Sequence, residues 1–131
     1  MAREAAAVSE DAGRRLAVGI GLRENATAAQ VVAAVRAVSV GARVHRLATL
    51  DRRLSAPGLR EAAALLGVEA IGYPAERLAE VAVPHPSERT AAAVGTAAVA
   101  EAAALLAGGG PLVCPKRVVD GVVVAAALVR D

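Results

Sequence analysis

A nearly uncharged run of small residues constrains this chain more than any other feature. Between Arg89 and Lys116 the only charged side chain is Glu101, and its neighbours are mostly Ala, Val, Leu, Gly and Thr. A helix that is apolar on nearly all sides needs partners on most of them. A carboxylate in such surroundings is costly unless it is paired or hydrogen-bonded. We therefore expect a buried helix over residues 96–107, capped by Thr96 and ended by the glycines that follow it.

Short apolar runs elsewhere predict strands. They are bounded by glycine, proline or charged residues, as buried strands usually are. Asp120-Gly121, between two valine-rich runs, is typical of a hairpin turn. The predicted strands are residues 16–20, 43–48, 68–71 and 112–114, with further strand on both sides of that turn over 118–129.

Helix signals follow each of the first three predicted strands. Thr27 is a candidate N-cap for a helix over 28–38. Pro57 in the first turn and Gly67 as the stop frame a second helix, and residues 74–79 predict a brief helical turn. This alternation predicts an α/β protein, a three-layer α/β/α sandwich with a mixed, mostly parallel sheet.

The length of 131 residues suits one domain. We expect residues 1–15, which are polar and alanine-rich, to form a flexible leader, and 16–131 to form a single α/β domain. Residues 1–11 include acidic side chains where a signal peptide needs an apolar core. The alanine-rich run with its Glu101 hardly favours membrane insertion. We therefore expect a cytoplasmic protein that has no membrane partner.

Composition narrows the function classes further. The chain has no Phe or Trp and one Tyr, which argues against stacking on single-stranded nucleic acid. A net charge of +2 suits a small anionic ligand at least as well as a nucleic-acid backbone. Cys114 is the only cysteine, so no intramolecular disulfide forms, and the two histidines make no recognisable metal motif. We expect no nucleic-acid partner, no metal and no cofactor.

Polar residues follow two predicted strands at what should be one edge of the sheet. Ligands of open α/β sheets collect where parallel strands end. Glycines at such a turn expose backbone amides to an anion, and hydroxyl and guanidinium groups can clamp a carboxylate. A tight turn and a solvated loop with a weak ion pair are the alternatives. The residues are Gly19, Gly21 and Arg23 after the first strand, and Thr49, Asp51, Arg52 and Arg53 after the second.

Two further features carry possible chemistry. Pro86-Ser87-Glu88 could present a hydroxyl and a carboxylate on a rigid turn, although Ser87 could instead cap a helix over 88–94. Lys116 is the nearest candidate countercharge for Glu101. Their link could be a structural tie between helix and strand or part of a catalytic site.

Taken in order, these motifs resemble the CobE and CbiG C-terminal domain family of cobalamin (vitamin B12) biosynthesis. The resemblance covers about residues 15–128, and its most specific part is the segment 86–105. The chain departs from the family pattern at Leu22, Glu24 and Asn25, where the family has a cysteine, a basic residue and a glycine. The matching motifs are Gly19-Ile-Gly-x-Arg23, Ala48-Thr-x-Asp51, Pro86-Ser-Glu88, Val94 to Leu105, and Pro115-Lys116.

The resemblance implies a role in building the corrin ring, by acting on or binding a precorrin, which is a tetrapyrrole. CbiG-type proteins, which are longer chains, open a ring lactone on a cobalt-precorrin and release acetaldehyde. This implies a hydrolase of the cobalt-precorrin-5A type, with Glu101 or Glu88 as the catalytic base. The alternative is a non-catalytic carrier that passes corrinoid intermediates between the enzymes of the pathway.

Precorrins carry several acetate and propionate carboxylates. A site for them should offer cations, hydroxyls and exposed amides. The expected ligand-binding residues are Gly19, Gly21, Arg23, Thr49, Asp51, Arg53, Ser87, Gly95, Thr96 and Lys116.

Overall fold

The computed structural model describes residues 14–81 and 96–130, which form a five-stranded sheet with helices on both faces. The strand order is β3-β2-β1-β5-β4. The strands are β1 Arg15–Gly21, β2 Arg43–Leu50, β3 Glu69–Tyr73, β4 Gly109–Val119 and β5 Val122–Val129. The helices are α1 Ala28–Val38, α2 Pro57–Leu66, α3 Ala75–Ala79 and α4 Thr96–Gly108.

The sheet is mixed, which confirms the predicted α/β class. β2 pairs in parallel with both β1 and β3, whereas β5 pairs antiparallel with both β1 and β4. The parallel half is therefore three strands wide, and the hairpin β4–β5 supplies the rest. Helices α1 and α2 cover one face of the sheet, and α4 covers the other.

Local sequence rules account for several element ends. The Oγ1 of Thr27 accepts a hydrogen bond from the backbone N–H of Gln30 at 3.1 Å, and the Thr27 N–H donates to Oε1 of Gln30 at 2.8 Å. This capping box begins α1 where it was predicted. Gly67 ends α2 with a φ of 71°. Asp120 and Gly121 both have positive φ, as a two-residue hairpin turn requires.

The last part of the chain differs from the expectation in one respect. β4 begins at Gly109, directly after α4, so the glycines that end the helix also start the edge strand. A Cβ at Gly108 or Gly110 would lie 2.6–2.7 Å from the carbonyl oxygen of Leu128. The glycines are needed because the chain passes very close to β5 here. β4 is therefore longer than the predicted 112–114.

The two faces of the sheet carry side chains of different size. On β1, Leu16, Val18 and Ile20 point into the core beneath α1 and α2. On the opposite face Ala17 packs with alanines of α4. Small residues bring a helix backbone close to a sheet. Many of the chain's alanines thus form a thin layer between β1 and α4.

Gly19 shows how close this approach is. A Cβ at Gly19 would overlap the carbonyl oxygen of Ala100 and lie 2.6 Å from the backbone nitrogen of Ala104. Both atoms belong to the main chain of α4. From Val99 to Ala104 every residue of that helix is buried, Glu101 included. The predicted burial of this helix is confirmed from Val99 to Ala104.

Residues 1–13, 82–95 and 131 lie outside the described residues. β1 starts at Arg15, the last residue of the expected leader. Within the described residues no helix has both the length and the apolar character that a membrane span requires.

The variant Gly19→Ala should destabilise the fold, because its methyl group meets main-chain atoms that cannot rotate aside. We expect a loss of about 3 kcal/mol in the free energy of unfolding, the upper end of the usual range for an overpacked core. Urea denaturation measures it. Gly67→Ala is the comparator, since nothing lies within 4 Å of a Cβ there. Its cost is that of left-handed backbone, about 1 kcal/mol. A smaller loss for Gly19→Ala than for Gly67→Ala would contradict the close packing of α4.

Candidate functional site: a basic cleft where the parallel strands end

A small cleft lies where β1 and β2 end and α4 begins. Its volume is about 40 Å³. Val99, in the first turn of α4, forms one wall, so the amino-terminal end of the helix lies beside the carboxyl ends of the strands. The lining residues are Gly21, Leu22, Thr49, Leu50, Arg52, Arg53 and Val99.

Arg53 is held in this cleft by the main chain of the neighbouring loop. A short 3-10 turn over Asp51–Arg53 follows β2 and aims the side chain toward β1. Its Nε donates a hydrogen bond to the carbonyl oxygen of Leu22 at 3.2 Å. Leu22 is itself buried in the core, so its carbonyl is a fixed acceptor. The guanidinium of Arg53 is therefore positioned, while its side chain stays 31% exposed.

Two more arginines, Arg23 and Arg52, lie on the loops that follow β1 and β2. Arg23 is exposed in the loop after β1, where its carbonyl oxygen accepts from the N–H of Ala26 at 3.0 Å and closes a turn. Arg52 is exposed and lines the cleft beside Arg53. Arg53 has an acidic neighbour, because the Glu24 Oε1 lies 4.0 Å from its Nη1. These loops therefore carry three arginines, with the carboxylate of Glu24 set against Arg53.

Thr49 and Asp51 have different surroundings from the arginines. Thr49 is buried, and its Oγ1 donates to the carbonyl oxygen of Ile20 at 2.7 Å. Its hydroxyl proton is thus used to tie the end of β2 to β1. Asp51 is exposed and lies against β3, since a Cβ at Gly72 would be 2.9 Å from the Asp51 Oδ1. Asp51 stands beside the cleft and Thr49 forms part of its wall.

Glu101 makes its described contact away from the arginines. Its carboxylate is fully buried, and Oε2 accepts a hydrogen bond from the backbone N–H of Lys116 at 3.0 Å. Lys116 belongs to β4, which is separated from β1 by β5. The bond connects α4 to the edge strand. The described link between Glu101 and Lys116 is a hydrogen bond to the main chain of Lys116, whereas the sequence suggested Lys116 as a countercharge.

Comparison with known proteins agrees with this architecture. The family described as "Cobalamin synthesis G C-terminus" matches residues 16–127. The chain belongs to this family.

Two solved structures resemble this member of the cobalamin synthesis G family in both sequence and fold. CobE, a protein from the cobalamin (vitamin B12) biosynthetic pathway, is 31% identical with a TM-score of 0.75, and the match covers 90% of this chain and 92% of CobE. The cobalamin biosynthesis protein chiG from Agrobacterium tumefaciens str. C58 is 40% identical with a TM-score of 0.68, over 88% and 99% of the two chains. These similarities and the family match agree with the resemblance inferred from the sequence motifs.

A third structure shares the fold of the family domain. A cobalamin biosynthesis protein G homolog from Sulfolobus solfataricus has a TM-score of 0.68 at 17% identity, and the match covers 90% of this chain and 38% of the homolog. No curated protein sequence matches the chain.

The predicted site residues of this family member fall into separate groups. Gly21, Thr49 and Arg53 line the cleft, and Arg23 and Asp51 lie on the loops around it. Gly19 lies under α4, where the helix backbone fills the space of its missing side chain. Glu101 and Lys116 form the tie to β4. Thr96 begins α4, and only its backbone is described. Ser87, Glu88 and Gly95 lie outside the described residues.

Sequence reasoning missed two parts of this arrangement. The carbonyl of Leu22 orients Arg53, and a main-chain acceptor leaves no signal in a sequence. Glu24 stood out only as a departure from the family pattern. It directly follows Arg23 in the sequence and lies 4.0 Å from Arg53 of the next loop, and an acidic residue among arginines could have suggested a counterion. Among the described residues, no group of three His, Cys, Asp or Glu side chains could hold a metal ion.

The tie between α4 and β4 can be tested by truncating Glu101. Glu101→Ala leaves a cavity and removes the acceptor of the Lys116 N–H, so we expect a loss of about 3 kcal/mol in the free energy of unfolding. Glu101→Gln keeps a side-chain oxygen that can accept this bond and should lose less than half as much. Urea denaturation of both variants measures the difference. Equal losses would mean that the charge, and not the hydrogen bond to Lys116, is what the fold needs at this position.

Proposed function

We propose that this cobalamin biosynthesis protein binds a corrin-ring intermediate, a precorrin, through the carboxylates on the rim of its macrocycle. The observation that carries the proposal is the set of Arg23, Arg52 and Arg53 on adjacent loops at the edge of the sheet. Membership of a cobalamin synthesis family supplies the class of ligand. A polycarboxylate tetrapyrrole fits both the cluster of arginines and the membership of this family.

The size of the cleft determines how such a ligand would sit. A cleft of about 40 Å³ has room for about three waters or one carboxylate group, and no room for a macrocycle. One acetate or propionate arm would enter between Thr49 and Arg53. The ring would then lie outside, over the loops that carry Arg23 and Arg52. Arginine suits this role because its planar fork can bind a carboxylate through two hydrogen bonds.

The helix α4 adds to the attraction for an anion. Its amino-terminal end borders the cleft at Val99. The first N–H groups of a helix lack partners within the helix and carry a partial positive charge. This end of a long helix favours a negatively charged group beside it. The exposed guanidinium groups and the amino-terminal end of α4 thus lie at the same end of the parallel strands, and both attract an anion.

Two modes of action are compatible with this binding. A non-catalytic carrier would hold the intermediate and pass it to another enzyme of the pathway. A hydrolase of the cobalt-precorrin-5A type would open the ring lactone, with Glu101 or Glu88 activating water. A general base must reach its water or substrate within hydrogen-bond distance. The burial of Glu101 and its bond to the Lys116 N–H favour the carrier.

Binding is tested with cobyrinic acid, a corrinoid with free carboxylates, and with its fully esterified form. By isothermal titration calorimetry we expect the acid to bind and the ester to bind much more weakly. The double variant Arg23→Gln/Arg52→Gln should bind the acid about tenfold more weakly, through lost charge-assisted hydrogen bonds. Arg36→Gln is the matched control, because Arg36 is exposed in the last turn of α1, at the other end of that helix from the cleft loops. Equal binding of acid and ester would contradict recognition through carboxylates.

The mode of action is tested by incubating the protein with purified precorrin intermediates and following their mass and absorbance. The carrier predicts stoichiometric binding and no change in mass. Lactone opening would instead change the mass and release acetaldehyde. If turnover occurs, Glu101→Gln decides the role of that residue: abolished turnover with intact binding would make it the base, against the structural role favoured here. Unchanged turnover would leave Glu88 as the candidate.

A further inference from the structure

We propose that Glu24 is a built-in competitor for the ligand: it pairs with Arg53 in the empty cleft and is displaced by an incoming carboxylate. This inference rests on the function proposed above, since it concerns the same site. It assigns to Glu24 a part in setting the affinity of the cleft and the rate at which a released ligand binds again.

The geometry separates a fixed partner from a displaceable one. Arg53 is fixed on one side, where its Nε donates to the carbonyl oxygen of the buried Leu22 at 3.2 Å. Its Nη1 faces Glu24, whose Oε1 is 4.0 Å away. The Glu24 side chain is 82% exposed, against 31% for Arg53. The guanidinium therefore stays in place when the carboxylate of Glu24 turns away into solvent.

The strength of the pair suits exchange. An ion pair between exposed side chains at the outer limit of contact contributes little and is screened by salt. A ligand carboxylate in the cleft would approach Arg53 more closely and be less exposed to water. Glu24 and the ligand would also repel each other as like charges if both stayed near the guanidinium. Binding thus replaces the carboxylate of Glu24 by that of the ligand. The net free energy of binding is smaller, because the Glu24–Arg53 pair must be broken.

The exchange has a consequence for release. When the ligand carboxylate leaves, Glu24 can re-pair with Arg53 and oppose its return. A protein that hands its ligand on gains from such a competitor, because a site in which Glu24 has re-paired with Arg53 recaptures the released ligand more slowly. Glu24 therefore favours transfer over retention.

The test compares Glu24→Gln with wild type. Removing the charge should strengthen binding of cobyrinic acid about fivefold, with most of the gain in a faster association rate, and the gain should shrink as salt rises. Binding of the esterified form should not change. Titration calorimetry gives the affinities, and stopped-flow absorbance of the corrinoid gives the rates.

Glu69→Gln is the matched control, because Glu69 is an exposed carboxylate at the start of β3, the opposite end of that strand from the cleft. It makes the same change in net charge and should leave binding unchanged. An equal gain of affinity in Glu69→Gln would mean that only the overall charge matters, and would overturn the proposal. Unchanged affinity in Glu24→Gln would overturn it as well.

A second probe, inorganic phosphate, separates this inference from the proposed function. Glu24→Gln should bind phosphate more tightly than wild type does, whichever organic ligand the protein takes. If wild type and variant both fail to bind cobyrinic acid while the variant gains phosphate affinity, the corrinoid assignment is wrong and the role of Glu24 stands. If cobyrinic acid binds, but its affinity and that of phosphate are the same for Glu24→Gln and wild type, the role of Glu24 is wrong and the proposed function stands.

Discussion

The close contact between α4 and β1 is the constraint on which the rest of the structure depends. It exists because Gly19 has no side chain, so the backbone at Ala100 and Ala104 can lie directly on the strand. A helix this close must be lined with alanine, which explains why the layer between β1 and α4 has so few large side chains. The contact also holds α4 in place along β1. Its amino-terminal end then lies beside the ends of the parallel strands, where the arginine loops are.

Glu101 belongs to the same arrangement. A fully buried carboxylate in an alanine-rich helix needs a partner, and the Lys116 N–H supplies one from β4. The antiparallel hairpin that carries β4 is thereby attached to the helix as well as to the sheet. Glu101 thus connects elements of the scaffold, while the exposed arginines of the loops after β1 and β2 are the groups that we propose bind the ligand.

Sequence patterns predicted those parts of the fold that depend on neighbours in the chain. The Thr27 cap, the stop at Gly67 and the Asp120-Gly121 turn each follow from local backbone requirements. Contacts between distant segments were harder to foresee. A glycine such as Gly19 shows that something comes close, but not whether a ligand or a helix does. The main-chain groups of Leu22 and Lys116 have no side-chain signature, so the position of Arg53 could not be predicted, and the link between Glu101 and Lys116 was predicted through the charge of Lys116 and not through its backbone N–H.

The central claim is that the corrinoid binds at the ends of β1 and β2. Mapping of backbone amide chemical shifts by NMR during a titration with cobyrinic acid tests it most directly. We expect the largest changes on residues 21–25 and 49–53 and on the first turn of α4 after residue 96. Changes concentrated instead at the opposite ends of the strands, around Arg43 and Glu69, would contradict it.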